Sequence, residues 1–310
     1  MFSQSFQWSD GCDVSWWLFV MFLAVLYLWV GLGVVLVYHR VLTHKAAQLK
    51  KPLLYLLVLG GLPAGVPIQW VGHHRFHHGV SDQPQDGHSP VQYGFWRALT
   101  GWYLERPSTA LAIVYAFAGP GRLLFDAWWR PRSSKIHDHL AADIAADPFL
   151  RWVSQPLPYA GGLLLLFGMT FGLAVVGWGL TGAAAMYVFY VFMYWGGDLI
   201  NAAGHGEGAR HFRTKDHSRN PGWLAVITLG DGLHNSHHAF PNSIRNDYCR
   251  HQWDGAYGAC RLFEKMGWAH HLRVPAPEKV QQKVLDGISL KSPFAISEGS
   301  MVSKISLEIV

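Results

Sequence analysis

The sequence predicts an all-α integral-membrane protein in which few transmembrane helices, three of them visible, carry a cytoplasmic helical cap rich in histidine. Three observations lead there. Half of the 310 residues are hydrophobic and only 15% are charged, which is too apolar for an ordinary soluble domain of this length. Uncharged stretches recur that are long enough to cross a hydrocarbon core at about 1.5 Å per helical residue. The histidines gather at the ends of such stretches.

The elements follow in order. Met1 to Asp13 is polar, with Asp10 and Asp13 but no lysine or arginine, so it lacks the basic start of a cleavable signal peptide and is expected on the non-cytoplasmic side. Val14 to Tyr38 is a run of 25 residues without a charge that ends directly on His39-Arg40. The next apolar run, Pro52 to Val71, is broken by Pro63, Pro67 and three glycines. A crossing there would put His39 and His44 on the opposite side of the bilayer from His74, His77 and His78. The run is therefore expected to dip in and return, or to lie at the surface, with its non-helical backbone covered by protein. Gly79 to Pro158 reads as cytoplasmic short helices and turns, punctuated by Pro84, Gly87, Pro107, Pro120 and Pro131. Tyr159 to Leu180 and Ala183 to Ile200 form a helical hairpin about Thr181-Gly182. Gly222 to Gly230 is a short apolar element. The expected organisation is a non-cytoplasmic start (1–13), a membrane domain (14–277) with spans at about 14–38, 159–180 and 183–200, and a flexible tail (278–310).

Charge sets the orientation. All 25 lysines and arginines lie at Arg40 or later, none of them in the hairpin turn, so the positive-inside rule places the N-terminus outside and the histidines in the cytoplasm. No lysine- and arginine-rich block suggests nucleic acid. Cys12, Cys249 and Cys260 form no C-x-x-C pair and are too few for a four-thiolate cluster. There is no His-Pro-Gly-Gly stretch either, so electrons for any redox chemistry are expected from a separate partner.

The chemistry lies in two histidine combs. In Gly72-His73-His74-Arg75-Phe76-His77-His78 a helix would place His74, His77 and His78 on one face. The spacing recurs at His234, His237 and His238, and His39 with His44 and Asn201 with His205 accompany it. Neutral imidazole suits zinc, copper, iron or nickel, and nine imidazoles exceed the needs of one ion, so two metals are implied. Two irons are the economical choice if O₂ is the co-substrate. On an ideal α-helix His39 and His44 stand about 140° apart, so the helix is expected to loosen or end between them. Asn201 is a weak ligand and is expected to hold a metal-bound water. Ligating imidazoles need acceptors for their other N–H, and Asp82, Asp86 and Asp231 lie near the combs. Trp70, Phe95, Trp96, Trp102 and Trp195 are candidates to line a tunnel. A histidine-rich di-iron site beside a membrane suits O₂-dependent removal of hydrogen from an unactivated methylene of a lipid chain.

With these motifs the chain resembles the membrane fatty acid desaturases of the Δ9 (stearoyl-CoA desaturase-like) group, bacterial type. The likeness rests on His39-Arg40-x3-His44, His74-Arg75-x-His77-His78, Asn201-x3-His205 and Gly230-Asp231-Gly232-Leu233-His234-Asn235-x-His237-His238-Ala239-Phe240-Pro241. Asp86-x-His88-Ser89-Pro90, Ser218-Arg219-Asn220 and Trp253-Asp254 extend it, so that it covers roughly Val25 to Pro275. It implies usually four spans and a di-iron centre held by His39, His44, His74, His77, His78, His205, His234, His237 and His238, with Asn201 acting through water. His73 and His88 match no ligand position. It also implies O₂, two electrons from a cytochrome b5-like or ferredoxin-like donor, and a cis double bond, Δ9 by resemblance. The acyl chain would ride on coenzyme A, acyl carrier protein or phospholipid, in a bacterial inner membrane. A hydroxylase, acetylenase or oxidative decarboxylase on the same scaffold is the alternative. Asp86-Gly87-His88 stands where the family commonly has Asp-Pro-His, and only one span is visible before the first histidine pair where the family usually has two.

Overall fold

The computed structural model describes residues 15–104, 108–123 and 134–295. The readings that fall on Met1 to Asp13, Pro107, Pro131 and 296–310 lie outside them. The described chain is mostly helical, with a single two-stranded sheet among its elements.

Helix α1 (Trp16–Gly31) has no charged residue and runs without a break into a π-helix, Leu32–Thr43. Together they make a 28-residue rod long and apolar enough to cross a membrane. Trp16, Trp17, Val20, Met21, Val25 and Leu28 are exposed while Phe19, Leu26 and Val30 are buried. A rod apolar on its outer as well as its inner face belongs in hydrocarbon.

The broken apolar run forms α2 (Lys51–Gly61) and α3 (Pro67–Val80), bent by 72° at the break. The bend has local causes. Pro67 opens α3 where its missing N–H costs nothing, and Gly65 takes φ = 125°, a conformation closed to side chains. The turn carries α3 back beside the π-helix, where its histidines meet His39 and His44. Helix α2 crosses the π-helix at bare backbone: a Cβ on Gly33 would lie 2.4 Å from Gly61 N and Leu57 O.

Helix α4 (Thr109–Phe117), capped by Ser108, leans on the next long element. That element, α5 (Pro156–Gly204), has 49 residues and breaks at Gly179, whose φ of 62° is non-helical. Tyr190 donates to or accepts from Thr170 at 2.9 Å, and its ring lies 4.8 Å from that of Phe167. Twenty residues along a straight helix would separate Thr170 and Tyr190 by about 30 Å. The two arms therefore run antiparallel, and the turn falls at Gly179, before the Thr181-Gly182 expected, because Gly179 holds the left-handed conformation. Gly182 instead gives the close approach of the arms, its Cβ position lying 2.5 Å from Ala174 O. The second arm holds α4 through Tyr187 OH to Phe117 O (2.9 Å) and Trp195 Nε1 to Ala116 O (3.0 Å).

Three short helices complete the cap: α6 (Gly222–Ile227), α7 (His234–Ala239) and α8 (Gly255–Lys265). Strands β1 (Gln48–Leu49) and β2 (Ala269–His270) pair antiparallel and tie the cap to the end of the first rod. The segment from Glu278, expected to be flexible, instead begins within α9 (Pro277–Lys283) and packs as far as 295. Val280, Leu290 and Phe294 join Phe212, Phe240 and Tyr248 in a small core. Val284 and Ile288 pack against the same core, so the apolar residues of this segment include Val280, Val284 and Ile288 at helical spacing, a pattern short and weak among polar neighbours.

The glycine crossing yields a test. Gly33→Val is expected to destabilise the protein by about 1–3 kcal/mol through overpacking, whereas Gly168→Ala, whose Cβ position meets nothing within 4 Å, is expected to be neutral or mildly stabilising. Thermal unfolding in detergent measures both; equal stability of Gly33→Val and the parent would refute the close crossing.

Candidate metal centre

Each histidine is positioned by its own local device. On α3 the helical repeat aligns His74, His77 and His78. In the π-helix the backbone bond from His44 N to His39 O (3.3 Å) spans five residues, so the wide turn places His39 and His44 about one revolution apart. This is the loosening the spacing requires. His205 caps the end of α5. The second comb forms α7, entered through Gly230-Asp231-Gly232. Gly230 has φ = 106° and a Cβ there would lie 2.5 Å from Asp254 Oδ1; at Gly232 it would lie 2.2 Å from Ala225 N. Only glycine fits either position, which explains the motif.

The nine histidines singled out in the sequence divide into two adjacent groups. His39, His44, His74, His78 and His237 form one; His77, His205, His234 and His238 form the other, with the ligand atoms of each group within 4.8 Å of one another. Each comb feeds both groups: α3 sends His74 and His78 one way and His77 the other, and α7 sends His237 one way and His234 and His238 the other. The groups touch where the His78 and His238 rings stack at 4.5 Å. Within groups, Nε2 atoms face each other at 2.9 Å (His39 and His237), 2.9 Å (His78 and His237), 3.1 Å (His74 and His78) and 3.0 Å (His205 and His234). Nitrogens at right angles about an ion some 2.1 Å away are about 3.0 Å apart, against about 3.4 Å at the tetrahedral angle. The spacing fits ions of higher than tetrahedral coordination. His44, His77 and His238 also present buried Nε2 atoms without a hydrogen-bond partner, a cost of about 1–3 kcal/mol each in the absence of an electron-poor centre.

Carboxylates stand behind four of the imidazoles. His39 Nδ1 donates to Asp231 (2.6 Å), His77 Nδ1 to Asp86 (3.0 Å), His205 Nδ1 to Asp82 (2.8 Å) and His238 Nδ1 to Asp216 (2.7 Å). These bonds put the proton on Nδ1 and leave the Nε2 lone pair facing inward. Burial, then crowding by neighbouring imidazoles, holds His234, His237 and His238 well below the usual histidine range, so they are neutral. Burial alone would raise the carboxylates, but hydrogen bonds from His205 to Asp82, from His77 to Asp86 and from Ser218 to Asp216 hold each below its ordinary value. Asp231 is held down likewise, against burial, by His39 and Arg40. Asp82, Asp86 and Asp231 were legible as such partners. Asp216 was not, and its one signal is a lone acid between Lys215 and His217 in an otherwise basic segment.

Asp231 also accepts from Arg40 (3.1 Å), and Arg40, fully buried, makes two further bonds to Asp254 (2.9 and 2.7 Å) and one to Ile244 O (2.8 Å). Asp254 in turn caps α8 through Tyr257 N. One guanidinium thus links the first rod, the entry to α7 and the start of α8.

A cavity of about 800 Å³ opens from this site, reached by His39 and His74 and lined by Asn201. Tyr27, Val30, Leu163, Tyr190 and Met193 also line it. Of the expected tunnel aromatics Trp70 and Trp102 line it; Phe95 and Trp96 line a separate pocket of about 240 Å³, and Trp195 packs against Trp96 and Phe117. Asp198, three residues before Asn201, lines the larger cavity and accepts from Arg122 (2.7 Å) and Tyr103 (3.2 Å). His73 and His88 join neither group but line the cavity, and burial followed by the neighbouring His77 pushes His88 down to about 3.

The family model described as fatty acid desaturase matches residues 15–254. The chain is 31% identical over 258 residues to a probable chloroplastic lipid desaturase of Arabidopsis thaliana, covering 82% of this chain and 63% of that protein. It is 33% identical over 258 residues to the sn-1 stearoyl-lipid 9-desaturase of Anabaena variabilis (81% and 83% covered). It is 31% identical over 250 residues to an acyl-CoA C20 Δ5-desaturase of Anemone leveillei (79% and 70%). The match thus spans less than two thirds of the first relative's length and more than four fifths of the second's. Over most of its length, through both rods and both histidine combs, this chain belongs to the fatty acid desaturase family.

Proposed function

We propose that this protein is an integral-membrane, O₂-dependent acyl desaturase that introduces a cis double bond, Δ9 in the first instance, into a saturated fatty chain carried as a lipid or thioester. The observation that carries the reading is the division of nine imidazoles into two touching groups, one of which opens through His39 and His74 onto a cavity of mainly apolar lining. His39, His44, His74, His78 and His237 are assigned to one iron. His77, His205, His234 and His238 are assigned to the other, with Asn201 holding a water beside them. Bound there, two irons would supply the redox chemistry by which O₂ takes hydrogen from an unactivated methylene.

The chain's own residues do the rest. The far wall of the cavity excludes water and fixes the depth of the acyl chain, so one pair of carbons is presented at the head. Asp231, Asp86, Asp82 and Asp216 hold the ligand tautomer and orientation. The charge distribution supports a cytoplasmic site; a bacterial inner membrane, and a separate ferredoxin-like or cytochrome b5-like protein as the source of reducing equivalents, complete the reading.

Mass spectrometry of acyl chains from a desaturase-deficient host tests the activity: a new monounsaturated acid is expected with the parent and none with His237→Ala. A hydroxy, acetylenic or terminal-alkene product would reassign the protein to a sibling reaction. Metal analysis of purified protein is expected to give two irons per chain, reduced in His237→Ala and unaffected by His270→Ala on exposed β2. Asp216→Asn is expected to weaken iron retention against a chelator by about 10–100-fold; unchanged retention would remove Asp216 from the centre.

A further inference from the structure

Removing two hydrogens from adjacent methylenes supplies two of the four electrons that convert O₂ to two waters. The other two electrons, with two protons, must enter from outside. Resting on the desaturase reading, we propose that the segment 206–220, flanked by α9, is the docking surface for an acidic one-electron carrier protein, and that Asp216 and His238 are its link to the four-histidine group.

The link is short. His238 Nδ1 donates to Asp216, and the residues on either side, Lys215 and His217, are exposed. By contrast Asp231, behind the five-histidine group, is 2% exposed and lies under Arg40 and Asp254. The segment is also held rigidly over the second comb. Asn235 accepts from His211 N (2.9 Å) and Phe212 N (2.8 Å) and donates to Phe212 O (3.1 Å), while Asn220 donates to Ser236 (3.0 Å). A partner resting here meets a fixed surface at a fixed distance from His238.

The charge selects the partner. Arg210, Arg213, Lys215 and Arg219 fall within ten residues, and Arg213 and Lys215 are exposed. Asp216 turns inward to His238, leaving Glu207 as the segment's outward acid. Helix α9 adds Lys279 and Lys283 beside Glu278, with Asp286 following; the contact of Arg213 N with Lys283 O (2.8 Å) joins the two elements. A cationic rim around a conducting link steers an anionic partner and speeds its encounter.

The test uses the full chain, iron-loaded, in nanodiscs of zwitterionic lipid, with a plant-type [2Fe–2S] ferredoxin and a soluble cytochrome b5 domain as carriers. Arg213→Glu combined with Lys215→Glu is expected to raise Kd by calorimetry, and KM, by about tenfold or more for at least one carrier and to flatten its salt dependence. Turnover at saturating carrier and single turnover with dithionite are expected to stay as in the parent. Arg261→Glu with Lys265→Glu, on α8, is the control without effect. Unchanged Kd and KM for both carriers would overturn the proposal. So would an equal loss in the dithionite reaction, or an effect confined to nanodiscs of anionic lipid, which would mark a headgroup contact. If the parent makes no unsaturated product even with dithionite, the desaturase reading fails, while the binding measurement still decides the surface.

Discussion

Nine imidazoles in two touching groups must turn ring nitrogens toward one another, and much of the structure around them serves that requirement. For His234, His237 and His238, burial and then the neighbouring imidazoles disfavour the imidazolium, but neutrality alone leaves the position of the proton open. The carboxylates Asp231, Asp86, Asp82 and Asp216 decide it by accepting from Nδ1. Four acids, each held below its ordinary value, thus stand behind a ligand set of neutral nitrogens, and they would supply the negative charge that metal ions bound there need in a dielectric that penalises isolated ions.

The remaining architecture brings the nitrogens within reach. The first rod delivers His39 and His44 together because its last twelve residues are wound as a π-helix. The 72° break before α3 returns the first comb to the end of the first rod, beside His39 and His44, and the hairpin at Gly179 brings His205 back to it. Every one of these is a departure from a straight α-helix, and each is made by proline, by glycine or by the wider turn. Regular helix would have set the ligands on different faces or on different sides of a bilayer.

Side chains that act through local spacing or through parity were legible in the sequence. The nine histidines, the break between the first two histidine elements, and Asp86, nine residues from His77, belong to this class. Asp82 and Asp231 were singled out by their nearness to a comb, yet their partners His205 and His39 lie 123 and 192 residues away. Other contacts across distance left no such cue. Asp216 reaches His238 over 22 residues from among cations, and Arg40 meets Asp254 over 214, contacts with no periodic trace. The packing of residues 278–295 escaped notice because three buried apolar side chains in a polar stretch look like a linker until their partners Phe212, Phe240 and Tyr248 are known. The hairpin was foreseen and its turn misplaced, since two glycines near its middle have different tasks: Gly179 takes the left-handed backbone and Gly182 the close approach. Aromatic composition located a tunnel only in part, because indole rings serve a wall, a core and an interface equally well.

The Arg40 network bears on how such a chain is made. Arg40 stands three residues before the end of the first rod, yet its partners Asp231 and Asp254 are synthesised some two hundred residues later. Until then the rod carries a guanidinium without the two carboxylates that enclose it in the folded protein. The final burial of Arg40 requires α8 and the entry to α7 at the mouth of the rod, where His237 lies beside His39. The histidine site and the ion-pair network thus depend on the same late part of the polypeptide: a chain ending before Asp231 lacks that acid and with it His234, His237 and His238.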